Sequence, residues 1–173
     1  MQPDGHLVRT QQHVPAALQR RPIPLERIDM TKYADRIRIS LLLLRLGVFL
    51  VITMWTLDKF FNPGHAAAIF EKFYAIGGMG EGIVIAIAVI EMVLLLLFVT
   101  GVKKTLTYGL VLLLHAGSTF SAFKQYLDPF DHLLFFAAWP MLAACVALFM
   151  LREIDTCFTL GGKQARLEEE AAR

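Results

Sequence analysis

The chain has 173 residues, 56% of them hydrophobic and only 18% charged, with a formal net charge of +2. That length allows one domain, and so small a positive charge, with no basic patch interleaved with aromatics, excludes a nucleic-acid-binding surface. The two cysteines, Cys145 and Cys157, form neither a CxxC redox pair nor a disulfide framework and read as free thiols.

In chain order, residues 1–38 form a polar tail whose first 28 or so positions, rich in Gln, Arg and Pro, predict disorder. Its one apolar patch, Val14 to Leu18, is too short for a signal peptide. Four apolar runs follow, Ile39–Leu57, Ile83–Thr100, Leu106–Phe123 and Leu133–Leu151, each 18 or 19 residues long. A helix of that length rises about 27 Å, close to the hydrocarbon thickness of a bilayer. Four such runs in so short a chain leave nothing polar to cover them in water. The expected fold is therefore an all-α membrane protein, a four-transmembrane-helix bundle spanning residues 39–151 in a lipid bilayer.

The connections sharpen this expectation. Gly101-Val102-Lys103-Lys104-Thr105 makes a tight hairpin between runs two and three, and Asp128-Pro129 interrupts the chain between runs three and four. The first connection carries Ala66, Ile69, Phe70, Phe73 and Tyr74 at helical spacing after Asn62-Pro63-Gly64. This pattern predicts a short amphipathic helix lying in the membrane interface. Trp139-Pro140, near the middle of the fourth run, predicts a kink there. Residues 152–173 read as a C-terminal tail, of which 162–173 form a charged, helix-prone, solvated end.

Charge asymmetry gives an orientation. The two tails and the second loop together hold 13 Lys and Arg, against three (Lys59, Lys72 and Lys124) in the other two loops. The positive-inside rule then places both ends in the cytoplasm of a multi-pass protein in the cell's inner (plasma) membrane.

Polar residues inside the runs are the candidate functional groups. Arg45, Glu91 and His115 are the ionisable ones, each costly at the centre of a membrane helix, at about 2.5–3.5 kcal/mol for the charged types. Counted from the cytoplasmic ends of the runs, Glu91 and His115 fall at about the same depth, roughly 13 Å, with Arg45 at about 9 Å. A pair between Arg45 and Glu91 would relieve both charges if their helices are neighbours. With Ser118 and Thr119 on the stripe of His115, the expected result is one polar spot in the bundle: Arg45, Glu91, His115, Ser118 and Thr119. The plainer reading is that these groups only join helices through hydrogen bonds and that Arg45 snorkels to the surface. At the outer face, Asp58, His65, Asp128, Asp131 and His132 could converge, although their spacing is not a metal motif and solvated loop charges explain them equally. One intramembrane histidine excludes bis-histidine haem ligation within the chain.

Leu44-Arg45-Leu46-Gly47, leading to Trp55-Thr56-Leu57-Asp58-Lys59-Phe60-Phe61-Asn62-Pro63, resembles the first-helix signature of the DoxX-like membrane proteins. Ile90-Glu91-Met92, running to Thr100-Gly101 and two basic residues, is similar to that family's glutamate-containing helix and glycine-basic turn. The likeness covers about Leu41 to Leu151. It implies a four-helix membrane bundle in which Arg45, Asp58 and Glu91 matter. The family takes its name from a subunit of a thiosulfate:quinone oxidoreductase. The resemblance therefore implies an accessory or quinone-interacting subunit of a membrane redox complex, with quinone as the candidate cofactor and other membrane subunits as partners. A non-enzymatic assembly subunit and a small transporter or proton pathway are the other expectations. The last lacks support from any inverted repeat of discontinuous helices. No complete catalytic constellation is present.

Overall fold

The computed structural model describes residues 30–160, with side chains from residue 33 onward. The disorder expected before residue 29 and the helical end expected from 162 lie outside the described residues. Among the described residues every regular element is helical. In order they are α1 (Met30–Phe61), α2 (Pro63–Tyr74), α3 (Glu81–Val99), α4 (Lys104–Ser121), α5 (Phe123–Tyr126), a 3-10 helix (Leu133–Ala137) and α6 (Ala138–Met150).

Three stretches are long and apolar enough to cross a membrane: Tyr33–Phe61, Glu81–Val99 and Leu133–Met150. α4 has the length, 18 residues, but its hydrophobicity is diluted by Lys104, His115 and several hydroxyls. It packs between α3 and α6, and α1 closes the ring by packing on α3 and α6. Each helix turns a stripe of side chains inward. On α1 the stripe is Leu41, Arg45, Val48, Ile52 and Thr56, all buried. On α3 it is Val84, Ala88, Leu95 and Phe98, and Glu91 falls in the same i+3/i+4 series. The surface facing away from the bundle is apolar too: Leu43, Leu50, Ile90 and Leu113 all lie more than 60% open. Water would not tolerate so continuous an apolar surface, whereas lipid would.

The boundaries have local causes. α1 begins at Met30, well before the apolar run, and ends where Asn62 precedes Pro63, because a residue before proline is pushed out of helical geometry. Pro63 then starts α2, where its missing N–H costs nothing. The turn from α3 to α4 needs positive φ at Gly101 (68°) and at Lys103 (44°). At Gly101 a Cβ would also lie 2.7 Å from Thr159 Cγ2, so only glycine fits.

Two regions take a form that the sequence left open. The break expected at Trp139-Pro140 appears as a change of helix type within the Leu133–Met150 stretch. Residues Leu133–Ala137 form a 3-10 turn, and Pro140 sits in the first turn of α6, where a missing N–H is best tolerated. The first part of the C-terminal tail packs against the helices. Residues 152–160 fold back across the end of the bundle, burying Asp155 and Thr159 and tying Leu160 N–H to Thr100 O at 2.9 Å.

Candidate functional site

The ionisable groups inside the helices are divided between two ends of the bundle rather than gathered in one spot. At the first end, α1 sends Arg45 inward across the ring. Its guanidinium Nη1 donates to Asp155 Oδ2 at 3.0 Å and to Tyr108 OH at 3.2 Å, and Nη2 donates to the Cys157 carbonyl. Tyr108 OH donates to the same Asp155 oxygen at 2.8 Å. Lys104, at the start of α4, donates through Nζ to the Asp155 carbonyl. Arg45 and Asp155 are both fully buried. A buried charge is tolerable only when it is paired and hydrogen-bonded, and this pair meets most of that demand. Among the described residues Arg45 Nε and Asp155 Oδ1 have no partner.

Near the other end, Glu91 faces Lys59 rather than Arg45, with Lys59 Nζ 2.8 Å from Glu91 Oε2. The expected Arg45–Glu91 pair does not form, and the direction in which the side chains lean, added to helix register, is the reason. α1 and α3 are neighbours joined through α2 at the Phe61 end. Arg45 lies about 16 residues from that end of α1, while Glu91 lies about 10 residues from the matching start of α3. At 1.5 Å per residue the mismatch is about 9 Å. Lys59 is mismatched in the other direction by about 12 Å, yet it reaches Glu91, because helical side chains lean toward the N-terminus of their own helix. In these antiparallel helices that lean brings Lys59 and Glu91 together and carries Arg45 and Glu91 apart.

His115 belongs to a third seam. Its Nε2 donates to the Ala138 carbonyl at 3.0 Å, at the junction of the 3-10 turn with α6, and a carbonyl partner requires the proton to sit on Nε2. Thr119 Oγ1 lies 3.4 Å from that nitrogen and donates to its own helix at His115 O, at 2.8 Å. No hydrogen bond joins His115 to Glu91 or Arg45 among the described residues. Ser118 does not join the polar set: it is exposed, displaced sideways from the inward series Val111, His115, Thr119 and Ala122. The single polar spot of Arg45, Glu91, His115, Ser118 and Thr119 is thus replaced by three separate contacts.

The expected outer cluster is likewise only partly assembled. Asp58 accepts from Asn62 Nδ2 at 3.0 Å, and His65 Nδ1 lies 2.7 Å from its other oxygen, so Asp58 fastens the elbow between α1 and α2. Asp128, Asp131 and His132 stay on the loop before the 3-10 helix, and the His132 ring meets Phe135 edge-on. Among the described residues no three His, Cys, Asp or Glu side chains are placed to hold a metal ion. On the same side, Tyr126 stacks against Phe136 and Trp139, and burial pushes its phenol above the ordinary tyrosine range.

Asp155, Tyr108 and Lys104 are the residues that sequence reasoning left out of the site. One signal pointed to Asp155: Ile154, Cys157, Phe158 and Leu160 make residues 152–160 far more apolar than the charged end that follows. No family, curated protein or solved structure matches this chain.

Proposed function

We propose that this chain is a DoxX-like inner-membrane protein of four transmembrane helices that serves as an accessory subunit of a membrane redox complex, holding partner helices rather than carrying out chemistry of its own. In this reading α1, α3, α4 and the Leu133–Met150 stretch cross the bilayer, α2 lies at the outer interface and both tails are cytoplasmic. α4 counts as a span because it is flanked on both sides by helices that are apolar enough to cross. Its outward residues Leu106, Leu113 and Phe120 are themselves apolar and exposed.

The observation that carries the subunit reading is the internal neutralisation of charge. Arg45 is matched by Asp155 and Glu91 by Lys59, so neither stands free to meet a substrate. Of two roles open to an accessory subunit, exchanging protons with a quinone or holding other subunits, this pairing favours the second. Quinone contact would then fall to His115, whose Nε2 is already committed to Ala138. Assembly instead needs a rigid bundle with a wide apolar exterior, where close packing joins helices within lipid.

Purification of the native protein in a gentle detergent, with mass spectrometry and an absorption spectrum of what accompanies it, tests the proposal. Redox subunits should co-purify in fixed proportion. A chain recovered alone, or only with copies of itself, would refute the subunit role.

A further inference from the structure

The Arg45 end of the bundle is built like a socket for an anion, and its present occupant is part of the chain itself. Arg45 from α1 and Lys104 and Tyr108 from α4 supply two cationic groups and a phenol. Among the described residues one carboxylate, Asp155, stands against them, leaving an excess of one positive charge. The fit is also incomplete. Asp155 uses only Oδ2, Lys104 is spent on a backbone carbonyl, and Arg45 Nε is buried with no acceptor. A guanidinium is shaped for two parallel bonds to an oxyanion, and here that capacity is only partly used.

The occupant is carried by a segment outside the regular helices. Residues 152–160 have no regular helix before Leu160 and follow the end of α6 at Met150. Their fastenings are few: Asp155 in the socket, the Cys157 carbonyl on Arg45, Leu160 N–H on Thr100 O, and Arg152 Nε on Thr105 Oγ1 at 3.1 Å. Phe158, 88% exposed, sits at positive φ (49°), a strained geometry for a non-glycine residue.

We propose that residues 152–160 form a strap which opens while the helices stay packed, and that the uncovered socket of Arg45, Lys104 and Tyr108 binds a phosphate-type oxyanion in place of Asp155. Arg45 is inaccessible while the strap is closed, so ligand entry and strap opening are one event. The inference concerns this chain alone and does not depend on its partners.

The two native cysteines report on it. Cys157 rides on the strap, half-buried, and Cys145 is buried in the bundle core. The full-length protein in phosphatidylcholine nanodiscs is treated with a maleimide. Cys157 should react at least tenfold more slowly than a free thiol, with Cys145 protected. Asp155→Asn should raise the Cys157 rate about tenfold and leave Cys145 protected. Millimolar inorganic phosphate should raise the wild-type rate severalfold where chloride at equal ionic strength does not, and Lys104→Gln should blunt that effect. Acceleration by free phosphate marks a soluble ligand. Acceleration only when phosphatidylglycerol is added to the discs marks a lipid headgroup. If neither accelerates labelling, the socket binds no oxyanion. If Cys145 is labelled in step with Cys157, the strap does not open apart from the bundle. Either result overturns the proposal.

Discussion

Arg45 shows what one side chain imposes on a helix that faces lipid. Its position on the inward stripe was legible in the sequence, since Leu41, Val48 and Ile52 surround it at helical spacing. Its partner was not legible, because Asp155 lies beyond the last apolar run and depth counted along separate runs ignores how far α1 extends at each end. Truncating Asp155 leaves the guanidinium unpaired wherever residues 152–160 still cover it. Asp155→Ala should therefore cost about 3–5 kcal/mol, measured by unfolding in detergent. Replacing both partners, Arg45→Met with Asp155→Leu, should recover most of that loss, because two apolar groups of similar volume avoid the desolvation of either charge. Glu91 follows the same logic with a different companion. Glu91→Gln should destabilise the bundle by about 1–3 kcal/mol, and Lys59→Met should rescue it where Arg45→Met does not. Rescue by Arg45→Met instead would place Glu91 beside Arg45 and contradict the register described above.

At the scale of elements, the short helix α2 was legible in its existence and only partly in its surroundings. Asn62-Pro63 and the glycines after Tyr74 marked its ends, and its apolar spacing marked a face. That face turns out to contact protein: Ala66 is buried, α2 packs on α1 and α3, and Phe73 stacks on Phe135 at 5.8 Å. Spacing alone cannot tell a face that meets lipid from one that meets neighbouring helices, since both are apolar. Phe70→Asp with Phe73→Asp should therefore raise amide exchange across residues 66–76. Unchanged exchange would mean that α2 is not docked through this face. The α3–α4 turn makes a sharper demand. A Cβ at Gly101 is strained by its φ of 68° and meets Thr159, so Gly101→Ala should lower stability by about 1–3 kcal/mol. Adding Thr159→Gly should restore only the steric part, because the backbone strain persists. Pro140 illustrates a different limit on sequence reading: a proline inside an apolar run signals a break, but only the structure tells whether a helix bends there or begins there.

At the scale of the molecule, three crossings follow from apolar length alone, and the fourth rests on the company α4 keeps. Tyr108, His115 and Thr119 point into the bundle, where they bond α6, residues 152–160 or their own backbone, while Leu106, Leu110, Leu113 and Leu114 point out. A mean over the helix hides this division, because inward polar groups dilute outward apolar ones. Whether α4 crosses decides the topology. With four crossings, α2 and the Asp128 loop share one side of the membrane and both tails share the other. With three, the Asp128 loop lies opposite α2 and the tails are on opposite sides.

Single-cysteine variants separate these cases, with Cys145 and Cys157 replaced by alanine and cysteine placed at Gly64 or Gln125. A Cβ at Gly64 meets nothing within 4 Å, so that site is open to substitution. In intact cells an impermeant maleimide should label both positions from outside, while a variant retaining only Cys157 should react only after the membrane is opened. Labelling of Gly64→Cys from outside with Gln125→Cys protected until lysis would show that α4 does not cross, and the four-helix account would be wrong.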